Sequence, residues 1–320
     1  MEYNLTVEQQ HENQRIDKYI SDAVTECSRS QAKSLILSFV VSVNGVKEKS
    51  CSRKLKNNDK IHLIFEKPCT LLLPFHYKLN IVYEDKYLII INKPPHLAVH
   101  PGVNQPNKTL VNALVTRFSE LSTTNGDSQP GIVHRLDKNT SGLIIVAKDN
   151  DTHSKLKNQI IKREIKREYL ALVHGVPIPK AGRILTRISP TRNDPTKMRV
   201  SWNSEDKIAI TNYRILNSYE KGQFSIVKCD LETGRTHQIR VHMLYKGSPI
   251  LGDKKYAAHS NFNRNTLSSA LLADKIDCLR RHALHACRIE FTHPVTLKNI
   301  ICESSLEDSL ADILSLMKKD

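Results

Sequence analysis

The 320-residue chain has no long apolar run. Stretches such as Leu88–Ile91 and Leu143–Ala147 fall far short of the roughly 20 residues that span a bilayer. The opening Met1-Glu2-Tyr3-Asn4 lacks the basic-then-apolar pattern of a secretory signal. The chain therefore reads as neither membrane-bound nor secreted, and the cytoplasm is its expected compartment. Aromatic residues are 6% of the chain, with one Trp, which argues against an extended base-stacking platform as the sole means of binding nucleic acid. The seven cysteines (Cys27, Cys51, Cys69, Cys229, Cys278, Cys287 and Cys302) form no C-x-x-C pair and are odd in number. They read as reduced thiols, with neither a zinc site nor a disulfide framework expected. Histidines offer no metal pattern either. His237 and His242 are five apart, and His282 and His285 have no carboxylate beside them. There is no internal repeat and no low-complexity tract. With 25% charged and 39% hydrophobic residues, a collagen-like, coiled-coil or wholly disordered chain is excluded.

What is present in excess is positive charge. Forty-eight Lys and Arg against 33 Asp and Glu leave +15, the balance of a protein that meets a polyanion, most commonly nucleic acid. The length suits about two domains. In the first, residues 12–67, Ile16, Tyr19, Ile20, Ala23 and Val24 mark one helical face. Ala32, Leu35, Ile36 and Phe39 repeat the pattern after Ser28-Arg29-Ser30, where a serine is expected to cap. Val40–Val43, the turn signal Asn44-Gly45, a second turn at Asn57-Asn58-Asp59 and the strand-like Ile61–Phe65 complete a small sheet. Arg29 and Lys33, four apart, share a helical face and are candidate RNA contacts. Residues 68–78, with Pro68 and Pro74, read as a linker.

From 79 to 320, strand-like runs (Ile81–Tyr83, Tyr87–Asn92, Leu143–Val146, Tyr169–Val173, Phe224–Leu231) outnumber amphipathic segments (Thr109–Phe118, Thr152–Ile165, Gln238–Tyr245, Leu306–Met317). The intervals follow no regular βαβ rhythm, so an α+β domain with a mixed, largely antiparallel sheet is expected. Its most informative stretch is Gly131-Ile132-Val133-His134-Arg135-Leu136-Asp137-Lys138-Asn139-Thr140-Ser141-Gly142. Two apolar runs bracket a polar loop that sets Asp137 near Arg135, Lys138 and His134. Nearby cations keep such a carboxylate ionised, fit to act as nucleophile or base.

That string resembles the His-Arg-Leu-Asp-x-x-Thr-Ser-Gly-Leu signature of the RluA family of pseudouridine synthases. Other blocks resemble the family's in the same order: Asn92-Lys93-Pro94-Pro95 through Gly102, Lys166-Arg167-Glu168-Tyr169, Thr233–His242 with Gly252-Asp253, and Leu284-His285-Ala286 through Pro294. The 12–67 segment resembles the S4 RNA-binding module through Arg15-Ile16-Asp17, Ser28-Arg29-Ser30, Leu35-Ile36 and Val43-Asn44-Gly45, with Asn58-Asp59 where that family usually has Gly-Asp. Within the family the chain is most similar to the branch of ribosomal large-subunit synthases D. The resemblance implies isomerisation of uridine in RNA, in which the N1–C1′ bond breaks and C5 is joined to C1′. No cofactor is needed, in keeping with the absence of nucleotide-binding motifs.

By motif position the resemblance implies that Asp137 is the catalytic carboxylate, acting at C1′ or on the C2′ proton. Tyr169 would handle the C5 proton or stack on uracil, and Arg240 would pair with Asp137, with Arg235 as the second choice. Arg135 would fill the stack vacated by the flipped base. The basic run Lys155, Lys157, Lys162, Arg163, Lys166 and Arg167 is expected to hold phosphates. The implied partner is large-subunit ribosomal RNA, free or in an assembling particle, met by a monomer. The rival reading is a non-catalytic RNA-binding ribosome assembly factor.

Overall fold

A computed structural model describes residues 1–318 apart from 26, 28, 66–71, 103–104, 127, 258–262, 265–266 and 268, and apart from the side chain of residue 30. The chain divides into two compact units, Met1–Thr70 and Leu71–Asp320, each with its own apolar core. Among the described residues no helix is long and apolar enough to cross a membrane.

The first unit runs β1 (Glu2–Thr6), α1 (Ile16–Ala23), α2 (Arg29–Leu37), β2 (Val41–Val43), β3 (Val46–Lys47) and β4 (Lys60–Ile64). Its strands form an antiparallel sheet in the order β1-β4-β2-β3. Ile16, Tyr19 and Ile20 of α1 are buried, with Ala32 and Ile36 of α2 and the inward residues of β2 and β4. The two expected turns are tied together. Asn44 donates from Nδ2 to Asp59 Oδ1 (2.8 Å), and the Lys60 N–H donates to Asn44 Oδ1 (2.8 Å). Asn58 takes the left-handed conformation (φ 66°). Strand β1 lies outside the 12–67 limits read from sequence, yet it pairs along β4 from Glu2 to Thr6. The expected serine cap at residue 28 lies outside the described residues.

The second unit is α+β. It contains β5 (Ile81–Glu84), β6 (Leu88–Lys93), α3 (Leu110–Arg117), β7 (Ser141–Ala147), α4 (Asn150–Lys162), β8 (Lys166–His174), β9 (Ala181–Pro190), β10 (Met198–Ser201), β11 (Lys207–Tyr219), β12 (Phe224–Leu231), α5 (Gln238–Tyr245), α6 (Ala270–Asp277), β13 (Leu284–Thr292), β14 (Asn299–Glu303) and α7 (Asp308–Met317). Ten strands form one sheet in the order β10-β9-β11-β12-β8-β13-β7-β6-β5, with β14 on β13. Among the described residues β7–β13 is the one parallel pair. Strand β7 is buried along its whole length. Ile144 and Val146 join one apolar cluster while Leu143, Ile145 and Ala147 join another, so both faces are covered. That is why its sequence is a continuous apolar run rather than an alternation.

Residues 72–78 do not hang as a linker. The Phe75 N–H donates to Thr116 Oγ1 and the Asn112 amide to the Leu73 carbonyl, both at 2.8 Å, which seats the segment on α3. Residues 68–71 of the expected linker lie outside the described residues.

Candidate active site

The loop that ends at β7 is pinned along its length. The Ile145 N–H donates to His134 Nε2 (3.0 Å). The buried Lys93 ammonium donates to the carbonyls of Pro94, Leu97 and Lys138 at 2.7, 2.9 and 3.2 Å. Burial brings the Lys93 pKa down to about 7, against the pull of the Asp137 charge. Thr140 Oγ1 meets His282 Nε2 at 2.7 Å, and Arg281 donates to Ser141 Oγ at 3.1 Å. Next comes Gly142, at φ 110°, where a Cβ would overlap the Ala286 carbonyl of β13. Glycine is therefore required where β7 meets its parallel partner.

A second loop, Thr233–His237, folds around Gln238. Its Oε1 accepts from Thr233 Oγ1 (2.7 Å) and the Arg235 N–H (3.0 Å), and its amide donates to the Ile210 carbonyl and Thr211 Oγ1. His237 takes φ 56° and precedes α5, so it does not share a helical face with Arg240. From the first turn of α5, Arg240 reaches back between two carboxylates. Its Nη1 donates to Asp137 Oδ2 (2.9 Å), while Nε and Nη2 donate to the two oxygens of Asp253 at 2.7 and 3.0 Å. The guanidinium lies over the Tyr256 ring, 4.9 Å from its centre, and Tyr256 Oη meets His237 Nδ1 at 2.8 Å.

The electrostatics follow from this enclosure. Burial works to raise the Asp137 pKa, but His237, Arg240 and His282 outweigh it, and the carboxyl sits below its usual range. Burial depresses the pKa of both imidazoles, that of His282 to about 4. At neutral pH the cation that keeps Asp137 charged is therefore Arg240. The loop neighbours expected from sequence do not play that part. Arg135 is exposed, Lys138 is exposed, and His134 is neutral, its pKa pushed down to about 3 by burial and by the nearby Arg167 charge.

Asp137, Tyr169 and Arg240 line one cavity of about 240 Å³, with Arg135 and Arg235 also on its wall. Tyr169 projects from β8 and is 5% exposed. Burial pushes its phenol up to about 12, so it is protonated throughout the physiological range. Arg135 borders a second hollow with His100, Gln105 and Lys138, which leaves it between the two. Arg235 turns away from Asp137 and donates to the Ile208 carbonyl at 2.9 Å.

In the first unit, Arg29 and Lys33 gather with Arg15 around the buried Asp17, at 3.1, 3.8 and 3.0 Å. Burial would raise the Asp17 pKa, but hydrogen bonds from Arg15 and Arg29 bring it to about 2. Three half-exposed cations around one buried anion leave a net positive cluster. The basic run after residue 154 is not one open phosphate-binding face. Lys155 pairs with Asp151, Arg163 with Glu232 and Lys166 with Glu290, while Arg167 points inward. Asp253, Tyr256 and His237 were not singled out from sequence as site residues. The Gly252-Asp253 pair in the third block was the available signal. Its contact with Arg240 spans 13 residues and depends on a turn that no periodicity announces.

Residues 87–245 match the family described as RNA pseudouridylate synthase. The uncharacterised RNA pseudouridine synthase YlyB of Bacillus subtilis is 34% identical, covering 99% of this chain and 98% of that protein. The ribosomal large subunit pseudouridine synthase D of Buchnera aphidicola is 38% identical over 95% of this chain and 94% of its own. The structure of human RNA pseudouridylate synthase domain containing 4 aligns with a TM-score of 0.57 and 27% identity, over 75% of this chain and 93% of that one. With the matched family over residues 87–245 and relatives 34–38% identical over nearly the full chain, the chain belongs to the RNA pseudouridine synthase family.

Proposed function

We propose that this isomerase modifies uridines of large-subunit ribosomal RNA in the cytoplasm, with Asp137 as its catalytic carboxylate. The observation that carries the assignment is the 2.9 Å bond from Arg240 to Asp137 inside the cavity, with Asp253 bracing the guanidinium from behind. The rRNA target is supported by similarity to the synthases D, which also favours the enzyme over a non-catalytic assembly factor.

In this reading a uridine leaves its stack, at a cost of a few kcal/mol, and Arg135 occupies the gap. The sugar meets Asp137, which either bonds to C1′ or takes the C2′ proton as the base departs. The freed uracil turns against the ring of Tyr169 and rejoins through C5. With its own proton in place, Tyr169 accepts the C5 proton only by passing that proton on. Arg240 holds the Asp137 carboxylate in one orientation and keeps it ionised. The 1–70 unit, with Arg15, Arg29 and Lys33, acts as an S4-like module that holds RNA phosphates.

Tritium release from large-subunit rRNA labelled at uridine C5 tests the assignment. Wild type should release tritium, while Asp137→Asn should bind the RNA with nearly unchanged affinity and release none. More than a few per cent residual release by the variant removes Asp137 from the central role.

A further inference from the structure

Arg167 has no function in the reading above, and its surroundings are unusual. It is 6% exposed and lines the same cavity as Asp137 and Tyr169. Its Nε is buried without an acceptor, and among the described residues the guanidinium has no hydrogen-bond or ion-pair partner. Three neighbouring cations are neutralised, Arg163 by Glu232, Lys166 by Glu290 and Lys228 by Glu168. Burial lowers the Arg167 pKa, though a guanidinium stays charged at any working pH. A buried cation without a counter-charge is costly unless something else supplies acceptors. Gly234 keeps the approach open, since a Cβ there would come within 3.0 Å of Arg167 Nη1.

Position narrows what that acceptor is. Arg167 and Tyr169 are two apart on β8 and both point inward, a step of roughly 6.6 Å along the strand. Asp137 acts electrostatically on Tyr169, and Arg167 is the next inward residue on that strand. A uracil attached to a sugar at Asp137 and laid over Tyr169 would lie in the cavity that Arg167 also lines, where its carbonyls meet a group with donors to offer.

We propose that Arg167 is a catalytic residue that donates to O4 of the target uracil. This rests on the roles assigned above to Asp137 and Tyr169. A guanidinium carries donors only, so it donates to the O4 carbonyl and opposes the N4 amino group of cytosine. It also acts on the reaction. Whether Asp137 bonds to C1′ or takes the C2′ proton, the N1–C1′ bond breaks with its electron pair left on the base, spread over O2 and O4. Arg167 stabilises that charge. C5 then bonds to C1′, Asp137 is released or returns its proton, the C5 proton leaves and N1 gains one, so nothing is consumed.

The test uses the full chain with large-subunit rRNA transcripts made from uridine or from 4-thiouridine, in which sulfur replaces O4. Arg167→Met should lower the single-turnover rate on uridine RNA by on the order of 10²–10³-fold, as loss of an oxyanion donor does. RNA affinity should stay within a few-fold, and Arg167→Lys should regain part of the rate. Sulfur at position 4 should slow wild type but slow Arg167→Met no further. Independent, multiplying effects of sulfur and mutation would overturn the contact. So would a variant with an unchanged saturated rate but weakened, less salt-dependent binding, which would assign Arg167 to a backbone phosphate. If Arg167→Met unfolds, Arg167→Lys decides, because a folded lysine variant with the full wild-type sulfur effect overturns the proposal. No pseudouridine from wild type on uridine RNA would sink the functional reading instead.

Discussion

A carboxylate enclosed like Asp137 gives up its charge unless a cation stays beside it, and Arg240 is placed so that it cannot easily leave. Three of its donors are held by two carboxylates, and Asp253 is almost wholly buried. Arg240→Gln would leave burial as the dominant influence on Asp137 and raise its pKa. Activity that needs the ionised form is present above that pKa and lost below it. The acid limb of the kcat profile should therefore move to higher pH, with kcat at pH 7 lowered by on the order of 10²-fold or more. A pH profile of single-turnover rates checks this, and an unmoved acid limb would count against the pairing. At this scale the sequence motifs pointed to Asp137, Tyr169 and Arg240, which the structure brings to the wall of one cavity. It was silent on the Asp253 and Tyr256 contacts, because they arise from a turn bringing residues 253 and 256 back onto α5.

The elements that carry the site are held by close backbone approach. Strand β7 touches β13 at Ser141–His285 and Gly142–Ala286. Adding a methyl group at residue 142 places it on the Ala286 carbonyl in a backbone conformation that L-residues avoid. Gly142→Ala should destabilise the chain by about 3 kcal/mol or more, read as a lower denaturant midpoint, and should lower turnover with it. A midpoint within error of wild type would mean that the strand pair yields at little cost. Strands β5 to β8 and β12 were legible as apolar runs. Strands β9, β10, β11, β13 and β14 and helix α6 were not. Along β11, Thr211, Asn212 and Arg214 interrupt the apolar residues, and a register shift between Ile215 and Asn217 breaks the period. In β13 a similar shift between Ala286 and Arg288 reverses which residues face inward. Alternation is the main cue to a half-buried strand, and a bulge removes it.

Across the whole molecule, the +15 charge is only partly available to a partner, because many cations are tied to carboxylates. The cluster around Asp17 is an exception, with three cations to one anion. Replacing Arg29 and Lys33 together by Ala should weaken rRNA binding about tenfold at moderate salt. It should also reduce the slope of log affinity against log salt by about 1–2, with the rate on saturating RNA little changed. A filter-binding series across salt concentrations checks this, and an unchanged slope would dismiss both residues as phosphate contacts. The two-part organisation could be read from a change in patterning near residue 70, but the contribution of β1 could not, since a single edge strand acquires meaning only against β4. The order of assembly has a consequence for synthesis. The loop bearing Asp137 is fastened by Arg240, His282 and β13, which follow it by more than a hundred residues. A chain growing from its N-terminus therefore completes its first unit long before the loop bearing Asp137 can be fastened. During translation the Asp137 loop stays without these partners, and its geometry is set only as the last strands emerge.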